Sequence, residues 1–239
     1  MRKASKIFVV FNPKKPNARE LAQEVRGLIN SSSASVVDNP KNADLLVIIG
    51  GDGTLLYNKL KYNLPIFAIG SEKSFICQSH AGNWREKLAR ILSNGYKVEK
   101  RMMLSCSVDD VYIEDALNEV AIHTRNHRVI DIELLIGEKK FAFYADGVIF
   151  STPTGSTAYC YSSGGSELSK HARKYEIVAI APYRRAFTHV SVPDSMVAAA
   201  IVKSDNADLV FDGQYIHHVK SGSVVKVWKS SRYLELVKV

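Results

Sequence analysis

The sequence predicts an N-terminal α/β domain with a parallel sheet, followed by a mainly β domain. Residues 6 to about 95 alternate short apolar runs with segments of helical spacing, an order typical of a parallel sheet covered by helices. From Val98 onward the apolar period is closer to two, which predicts strands. We therefore predict one domain over residues 1–97 and a second over 98–239, and a return of the last strand to the first domain stays open.

Each element of the first domain has its own signal. Asn17 followed by Glu20 is typical of a capping box at a helix start. The nearly unbroken apolar run at 43–49 is typical of a strand that is covered on both faces. The predicted strands are 6–11, 43–49 and 65–69, and the predicted helices begin near Asn17, Thr54 and Trp84.

The second domain is predicted from its turns and its alternating runs. Turn signals at 109–110 and 137–138 each separate two strand-like runs. A short helix is predicted to begin near Ser156. The later predicted strands are 177–181, 196–203, 208–211, 224–229 and 233–238.

The composition is that of a globular protein with anionic partners. The net charge of +8 is carried by scattered basic residues without a long basic tail, which favours phosphorylated small molecules over nucleic acid. No apolar stretch has the roughly 20 residues of a membrane-spanning helix, so we predict no membrane partner. The apolar run after the basic start is too short for a secretion signal, and three widely spaced cysteines predict a reducing, cytoplasmic location.

A glycine loop that contains an acid, Gly50-Gly51-Asp52-Gly53-Thr54, follows a predicted buried strand. Its glycines allow a tight turn and a close approach of backbone N–H groups to phosphate oxygens. The spacing of a P-loop is missing. Asp52 suits binding magnesium or accepting a proton from an attacking hydroxyl, and the alternative is a structural turn in which Asp52 caps the next helix.

A second motif runs from Asp146 to Tyr159 and contains the string Ser-Thr-Pro-Thr-Gly-Ser-Thr-Ala-Tyr. It offers hydroxyls and backbone donors to a ligand, and Tyr159 can stack on a base. Upstream, Asn118 and Glu119 interrupt the apolar run 116–122, which predicts one strand with these two side chains on opposite faces unless the strand bends there. The pair can hold two ribose hydroxyls. The alternatives are a structural helix cap for the second motif and a polar edge-strand pair.

These motifs, in this order, resemble those of the NAD kinase family. The glycine loop alone is shared with diacylglycerol, sphingosine and phosphofructo-kinases, whereas the later hydroxyl-rich string is more specific. The resemblance spans about residues 6–214 and implies a phosphofructokinase-like α/β domain before a β domain that binds NAD. The matching residues are Gly50 to Thr54, Asn118-Glu119 and Asp146 to Tyr159, with weaker agreement at Asp212-Gly213-Gln214.

The resemblance implies an enzyme that phosphorylates the 2′-hydroxyl of the adenosine ribose of NAD, making NADP from Mg-ATP. Asp52 is then the general base, Gly50, Gly51, Gly53 and Thr54 help seat phosphates, and magnesium arrives with ATP rather than at a fixed protein site. A homodimer or homotetramer is implied, and polyphosphate is an alternative donor. The implied NAD contacts are Asn118, Glu119, Asp146, Thr154, Thr157, Ala158 and Tyr159, with Lys73, Ser162 and Gln214 as further candidates.

The chain departs from the family pattern after the predicted strand at 65–69. Many members have an Asn and two glycines there, whereas this chain has Gly-Ser-Glu-Lys-Ser-Phe at 70–75. Lys73 either supplies positive charge to phosphates or lies solvated in a surface loop. Residues 182–188 likewise replace a family Pro-His-Ser-Leu-Ser-Phe-Arg string. Two other functions stay open: a lipid or sugar kinase with the same glycine loop, and a nucleotide-binding protein without catalysis.

Overall fold

The computed structural model describes residues 1–204 and 206–238, and its internal contacts divide it into two units. Unit 1 contains Met1–Lys100 and the chain from Leu234 onward, and unit 2 contains Arg101–Tyr233. Helices are concentrated in unit 1 and strands in unit 2, so the predicted fold class is confirmed. The domain assignment 1–97 and 98–239 stays a proposal.

The secondary structure is given in chain order. The strands are β1 (Lys6–Phe11), β2 (Ser35–Val36), β3 (Leu45–Ile49), β4 (Ile66–Gly70), β5 (Ser79–His80), β6 (Lys97–Val108), β7 (Val111–Ala116), β8 (Glu119–Thr124), β9 (Ile130–Ile136), β10 (Lys139–Ala145), β11 (Gly147–Ser151), β12 (Lys174–Ile180), β13 (His189–Pro193), β14 (Ala198–Val202), β15 (Ala207–Phe211), β16 (Tyr215–Val219) and β17 (Val224–Lys238). The α-helices are α1 (Ala18–Asn30), α2 (Asp52–Asn58), α3 (Trp84–Asn94) and α4 (Tyr159–Ser162). Short 3₁₀ turns cover Pro40–Asn42, Gly155–Thr157 and Tyr183–Arg185.

Unit 1 is a parallel sheet in the order β2-β1-β3-β4, and Leu236 of β17 pairs with Ile66 of β4. Every residue of β3 is buried, as the unbroken apolar run predicts for a strand covered on both faces. The strand order reverses between β1 and β3, and the carboxyl ends of strands at such a reversal are where open α/β sheets bind ligands. The glycine loop follows β3 at this edge.

Helix α1 buries Ala18, Ala22, Val25 and Ile29 within the unit 1 core. The predicted capping box at its start is wrong. Asn17 has a left-handed backbone with φ of 56° and makes no side-chain capping hydrogen bond. A left-handed residue directs its side chain away from the first turn, which the sequence pattern alone does not reveal.

Unit 2 contains an antiparallel sheet in the order β13-β12-β11-β8-β15-β16, and a second set in which β9 pairs with β10 and β14, and β14 with β17. Its core packs buried aliphatic and aromatic residues, among them Phe150, Tyr175 and Phe211. Strands β13 and β16 are additions to the predicted set. The two strands predicted at 224–229 and 233–238 are one continuous strand. Within the described ranges, no helix has the length and apolarity that a bilayer crossing requires.

Candidate functional site

The glycine loop of unit 1 turns sharply after β3. Gly50 has φ of 147°, and a Cβ there would lie 2.5 Å from Thr54 Oγ1 and 2.9 Å from Asn12 Cβ, so only glycine fits without a shift. The Thr54 hydroxyl donates to the Gly50 carbonyl at 3.1 Å and accepts from Asn12 Nδ2 at 3.3 Å. The loop is therefore bonded to the residue that follows β1.

Asp52 holds a second loop of unit 1. Its Oδ2 accepts a hydrogen bond from the Phe75 N–H at 2.7 Å, and its Oδ1 accepts from Ile76 and Cys77 at 3.1 Å each. We call this arrangement, one carboxylate that accepts three successive backbone N–H groups, a carboxylate clamp. Asp52 is the first residue of α2, which begins two residues earlier than predicted. The alternative in which Asp52 caps that helix is wrong, because the carboxylate bonds to the loop at 75–77 instead.

The clamped loop is the one that departs from the family pattern. The Ser71 N–H donates to Ser74 Oγ at 3.1 Å, and the Ser74 N–H donates to the Ser71 carbonyl at 3.0 Å. Lys73 is exposed, and the Phe75 side chain is 82% exposed. Burial, with the nearby Asp52 charge, raises the pKa of Cys77, so this residue is a neutral thiol. Asp52 thus orders a loop that presents a cation and an aromatic ring to solvent.

A second carboxylate clamp lies in unit 2. Asp212 Oδ2 accepts from the Leu117 N–H at 3.0 Å, and its Oδ1 accepts from Asn118 at 2.6 Å and Glu119 at 3.1 Å. The predicted unbroken strand over 116–122 is wrong: β7 ends at Ala116 and β8 begins at Glu119. The chain leaves the strand ladder here because Asp212 takes the N–H groups that would have joined it.

The hydroxyl-rich string packs against this break. The Thr152 N–H donates to the Asn118 carbonyl at 2.9 Å, and the Thr152 hydroxyl donates to the Leu117 carbonyl. The same hydroxyl accepts from the N–H groups of Thr154 and Gly155 at 3.1 Å each. A Cβ at Gly155 would lie 2.2 Å from the Asn118 carbonyl oxygen, which requires glycine for this contact. We call residues 117–119, 152–155 and Asp212 the Asp212 corner.

Two buried polar atoms of the Asp212 corner have no hydrogen-bond partner among the described residues: Asn118 Oδ1 and Glu119 Oε2. Burial, and then the charge of Asp212, raise the pKa of Glu119 to about 8. At neutral pH Glu119 is therefore a neutral acid that can donate one hydrogen bond, while Asn118 Oδ1 can accept one. Buried polar atoms are usually paired, so these two indicate a polar ligand.

Tyr159 provides an aromatic surface beside this corner. Its ring stacks on His123 with centroids 5.6 Å apart and an interplanar angle of 5°. Burial lowers the pKa of His123, which favours the neutral imidazole, while nearby Asp208 and Asp146 oppose this. Burial, then Glu119 and Asp146, raise the pKa of the Tyr159 phenol, so both carboxyl groups act on this ring. The structure therefore brings Tyr159, Asn118, Glu119, Asp146 and Thr154 into one region of unit 2.

The remaining sequence-derived candidates of unit 2 lie on its surface. Thr157, Ala158, Ser162 and Gln214 are exposed, and the Ser162 hydroxyl donates to the Ala158 carbonyl of its own helix. Within residues 1–204 and 206–238, no group of three or more His, Cys, Asp or Glu side chains is arranged to hold a metal ion.

Asp212 and Thr152 are absent from the site residues that the sequence suggested. The signal that could have indicated Asp212 is the Asp-Gly pair after the buried strand β15. Asp212 and Gly213 have φ of 52° and 63°, the left-handed conformations that favour such a pair in hairpin turns. A hairpin predicted here would have placed an aspartate at the end of a buried strand, although not against residues 117–119.

Comparisons with known proteins agree on one family. Residues 117–239 match the family model described as the ATP-NAD kinase C-terminal domain. The NAD kinase of Natranaerobius thermophilus is 31% identical over 92% of this chain and 82% of its own length. The NAD kinase of Thermococcus sibiricus is 33% identical over 87% of this chain and 78% of its own length.

Solved structures give the same result. A crystal structure of an NAD kinase from Archaeoglobus fulgidus in complex with ATP has a TM-score of 0.80 at 26% identity, covering 98% of this chain and 93% of that one. The structure of the yeast NADH kinase complexed with NADH has a TM-score of 0.88 at 20% identity, covering 100% of this chain and 84% of that one. The yeast structure supports the fold alone.

Proposed function

Because this chain belongs to the NAD kinase family and is a kinase, we propose that it transfers the γ-phosphoryl group of ATP to the 2′-hydroxyl of the adenosine ribose of NAD, forming NADP. One observation carries the proposal: buried Asn118 Oδ1 and Glu119 Oε2 have no partner among the described residues and lie near an exposed tyrosine ring. We further propose the domains 1–97 and 98–239, with a return of the last strand to the first domain that the place of Leu234 in unit 1 supports. The second domain is proposed to hold NAD.

The Asp212 corner fits the hydroxyl groups of a ribose. A hydroxyl both donates and accepts, so it can donate to Asn118 Oδ1 and accept from the neutral acid of Glu119. The face of Tyr159 can stack on a ring of the dinucleotide. The other residues proposed to line the NAD site are Asp146, Thr154, Thr157 and Ala158, with Ser162 and Gln214 at its margin.

Asp52 is proposed as the general base. It takes the proton of the 2′-hydroxyl, the ribose oxygen bonds to the γ-phosphorus, and the bond from that phosphorus to the bridging oxygen breaks to release ADP. The clamp leaves room for this role, since Oδ2 accepts one N–H among the described residues and a carboxylate oxygen can accept more than one. A carboxylate is a weak base toward an alcohol, so positioning and charge neutralisation supply most of the acceleration.

The donor contacts are proposed to come from unit 1. Backbone groups at Gly50, Gly51, Gly53 and Thr54 help seat phosphates, and Lys73 supplies positive charge near them. The ATP complex of the Archaeoglobus fulgidus enzyme supports ATP as the donor. Magnesium is proposed to enter with ATP as part of the substrate. We also propose a homodimer or homotetramer.

A product assay tests the proposal. The purified protein is incubated with NAD or NADH, each with Mg-ATP or magnesium polyphosphate, and NADP(H) is separated by chromatography. We expect NADP from NAD and Mg-ATP. If none of the four combinations gives phosphorylated dinucleotide while NAD binds in calorimetry, the protein is a binding protein without catalysis.

A further inference from the structure

Asp212 is placed to control the shape of the Asp212 corner. It is 3% exposed, and its carboxylate accepts the three bonds from Leu117, Asn118 and Glu119. Its own N–H donates to the Glu119 carbonyl at 3.0 Å. Asp212 therefore holds residues 117–119, between β7 and β8, by hydrogen bonds from its backbone N–H and to both of its carboxylate oxygens.

We propose that Asp212 is a positioning residue for the nucleotide acceptor: its clamp keeps the chain out of the strand ladder at 117–118 and thereby presents Asn118 Oδ1 and Glu119 Oε2 to the ribose. This rests on the proposed function. Without the break, residues 116–122 would continue as a strand, and the side chains of Asn118 and Glu119 would alternate to opposite faces. With the break, both buried oxygens are left for a ligand.

The chemistry of the clamp requires a carboxylate. Three N–H groups converge here, and the two oxygens of a carboxylate can accept all three hydrogen bonds. An asparagine has a single acceptor oxygen, and its NH₂ group would face an N–H donor. The charge of Asp212 also acts on Glu119. The ionisable groups that face Glu119 are Asp212, the Tyr159 phenol and the Cys160 thiol. Among them, Asp212 is the group whose charge adds to burial in raising the pKa of Glu119.

Two variants separate the geometric effect from the electrostatic effect. Asp212→Asn removes the charge and disrupts the clamp, so we expect the Kd for NAD in calorimetry to rise at least about tenfold. Wild-type binding of NAD should weaken once Glu119 loses its proton at high pH. Without the Asp212 charge the pKa of Glu119 falls, so this weakening should begin at a lower pH than in the wild type. Asp212→Glu keeps the charge but displaces the carboxylate by one methylene, so the Kd should rise while that pH stays near the wild-type value. Binding of Mg-ATP should change less than about twofold in both variants.

Asp110→Asn is the matched control, because Asp110 is an exposed turn residue of the same unit that pairs with Lys226. If Asp212→Asn fails to fold, Asp212→Glu decides. A folded Asp212 variant that binds NAD as tightly as wild type overturns the proposal, and so does an equal loss of NAD and ATP binding, which indicates a structural role. The calorimetric readout is independent of turnover, so it remains decisive if the wild type makes no NADP.

Discussion

The two units of this kinase use the same device for different ends. In unit 1, Asp52 accepts the N–H groups of residues 75–77, and in unit 2, Asp212 accepts those of residues 117–119. Asp52 is partly exposed at the start of α2, whereas Asp212 is buried after β15. In both places three successive N–H groups that form no ladder are satisfied by one carboxylate.

The difference in exposure indicates what each clamp is for. The partly exposed carboxylate of Asp52 can still meet a substrate, which suits its proposed role as the base. The buried carboxylate cannot, so Asp212 is proposed to act through the residues that it holds. Burial, and then the charge of Asp212, raise the pKa of neighbouring Glu119 and keep it protonated. We therefore propose that a clamp of the same geometry gives a reactive group in one unit and a positioning group in the other.

The largest expected effect is on kcat, and it tests the proposed difference between the Asp52 and Asp212 clamps at Asp52. Asp52→Asn should lower kcat for NADP formation by about 10²–10⁴-fold, because an amide cannot accept the proton of the attacking hydroxyl. Its single acceptor oxygen also weakens the clamp on residues 75–77, as at Asp212. Rates are measured at saturating NAD and Mg-ATP, and calorimetry checks that both still bind. Asp38→Asn, an exposed change in the same unit, should leave kcat unaltered. Turnover of Asp52→Asn at the wild-type rate would remove Asp52 from the chemistry.

A second prediction concerns the protonation of Glu119, which burial and then the charge of Asp212 favour. The pKa of Glu119 in the folded protein, about 8, lies above its ordinary value of 4.5. Between these values the folded state retains a proton that the unfolded chain releases. The contribution of this proton to the free energy of unfolding is therefore complete below pH 4.5 and is lost as pH rises through 8.

Glu119→Gln cannot titrate and provides the comparison. Relative to wild type, its free energy of unfolding should improve by a few kcal/mol as the pH rises from about 5 to about 8. Urea denaturation across this range measures the difference between the two proteins. A difference that is the same at every pH would contradict a raised Glu119 pKa.

The packing of the hydroxyl-rich string on the Asp212 corner predicts a third effect. Gly155→Ala should lower the free energy of unfolding by about 1–3 kcal/mol and raise the KM for NAD, since its Cβ would meet backbone that Asp212 holds in place. Gly27→Ala is the control in unit 1, because a Cβ there has nothing within 4 Å. In helix α1 this change should instead stabilise the protein by about 1 kcal/mol. Chemical denaturation measures the change in the free energy of unfolding of each variant. Changes of the same sign for both would contradict the packing argument.

The smallest expected effect sharpens the assignment of the aromatic surface. Tyr159→Ala should raise the KM for NAD about tenfold, which corresponds to about 1.4 kcal/mol of lost stacking. Tyr159→Phe keeps the ring and should stay within about twofold of wild type. Steady-state kinetics with varied NAD measure both. A KM for Tyr159→Ala that equals the wild-type value would place the dinucleotide ring elsewhere.

Local sequence patterns predicted the secondary-structure elements whose bounds depend on neighbouring residues. β1 has the predicted bounds Lys6–Phe11, and α3 begins at Trp84, where its start is predicted. The capping box at Asn17 and the unbroken strand at 116–122 were wrong for a common reason. A left-handed backbone and a carboxylate about 95 residues away along the chain are tertiary features, which propensity and periodicity do not encode.

In the candidate site too, residues with a local sequence signal were predicted, and residues placed by tertiary contacts were missed. The glycine loop and the hydroxyl-rich string were visible because their residue types are unusual at those spacings. Asp212 was not identified as a site residue, since an Asp-Gly turn is common and its partners are distant in the sequence. The continuous strand β17 was likewise hidden by Ser230 and Ser231, which read as a break, although Ser230 is buried and donates to Asp115.

The most direct test of the account is the position of the new phosphate. Product made from NAD and Mg-ATP by the wild-type protein is purified and its phosphorus–proton couplings are measured by NMR. The account predicts a single phosphomonoester coupled to the 2′ proton of the adenosine ribose. A phosphate on any other hydroxyl, or unmodified NAD, would contradict it.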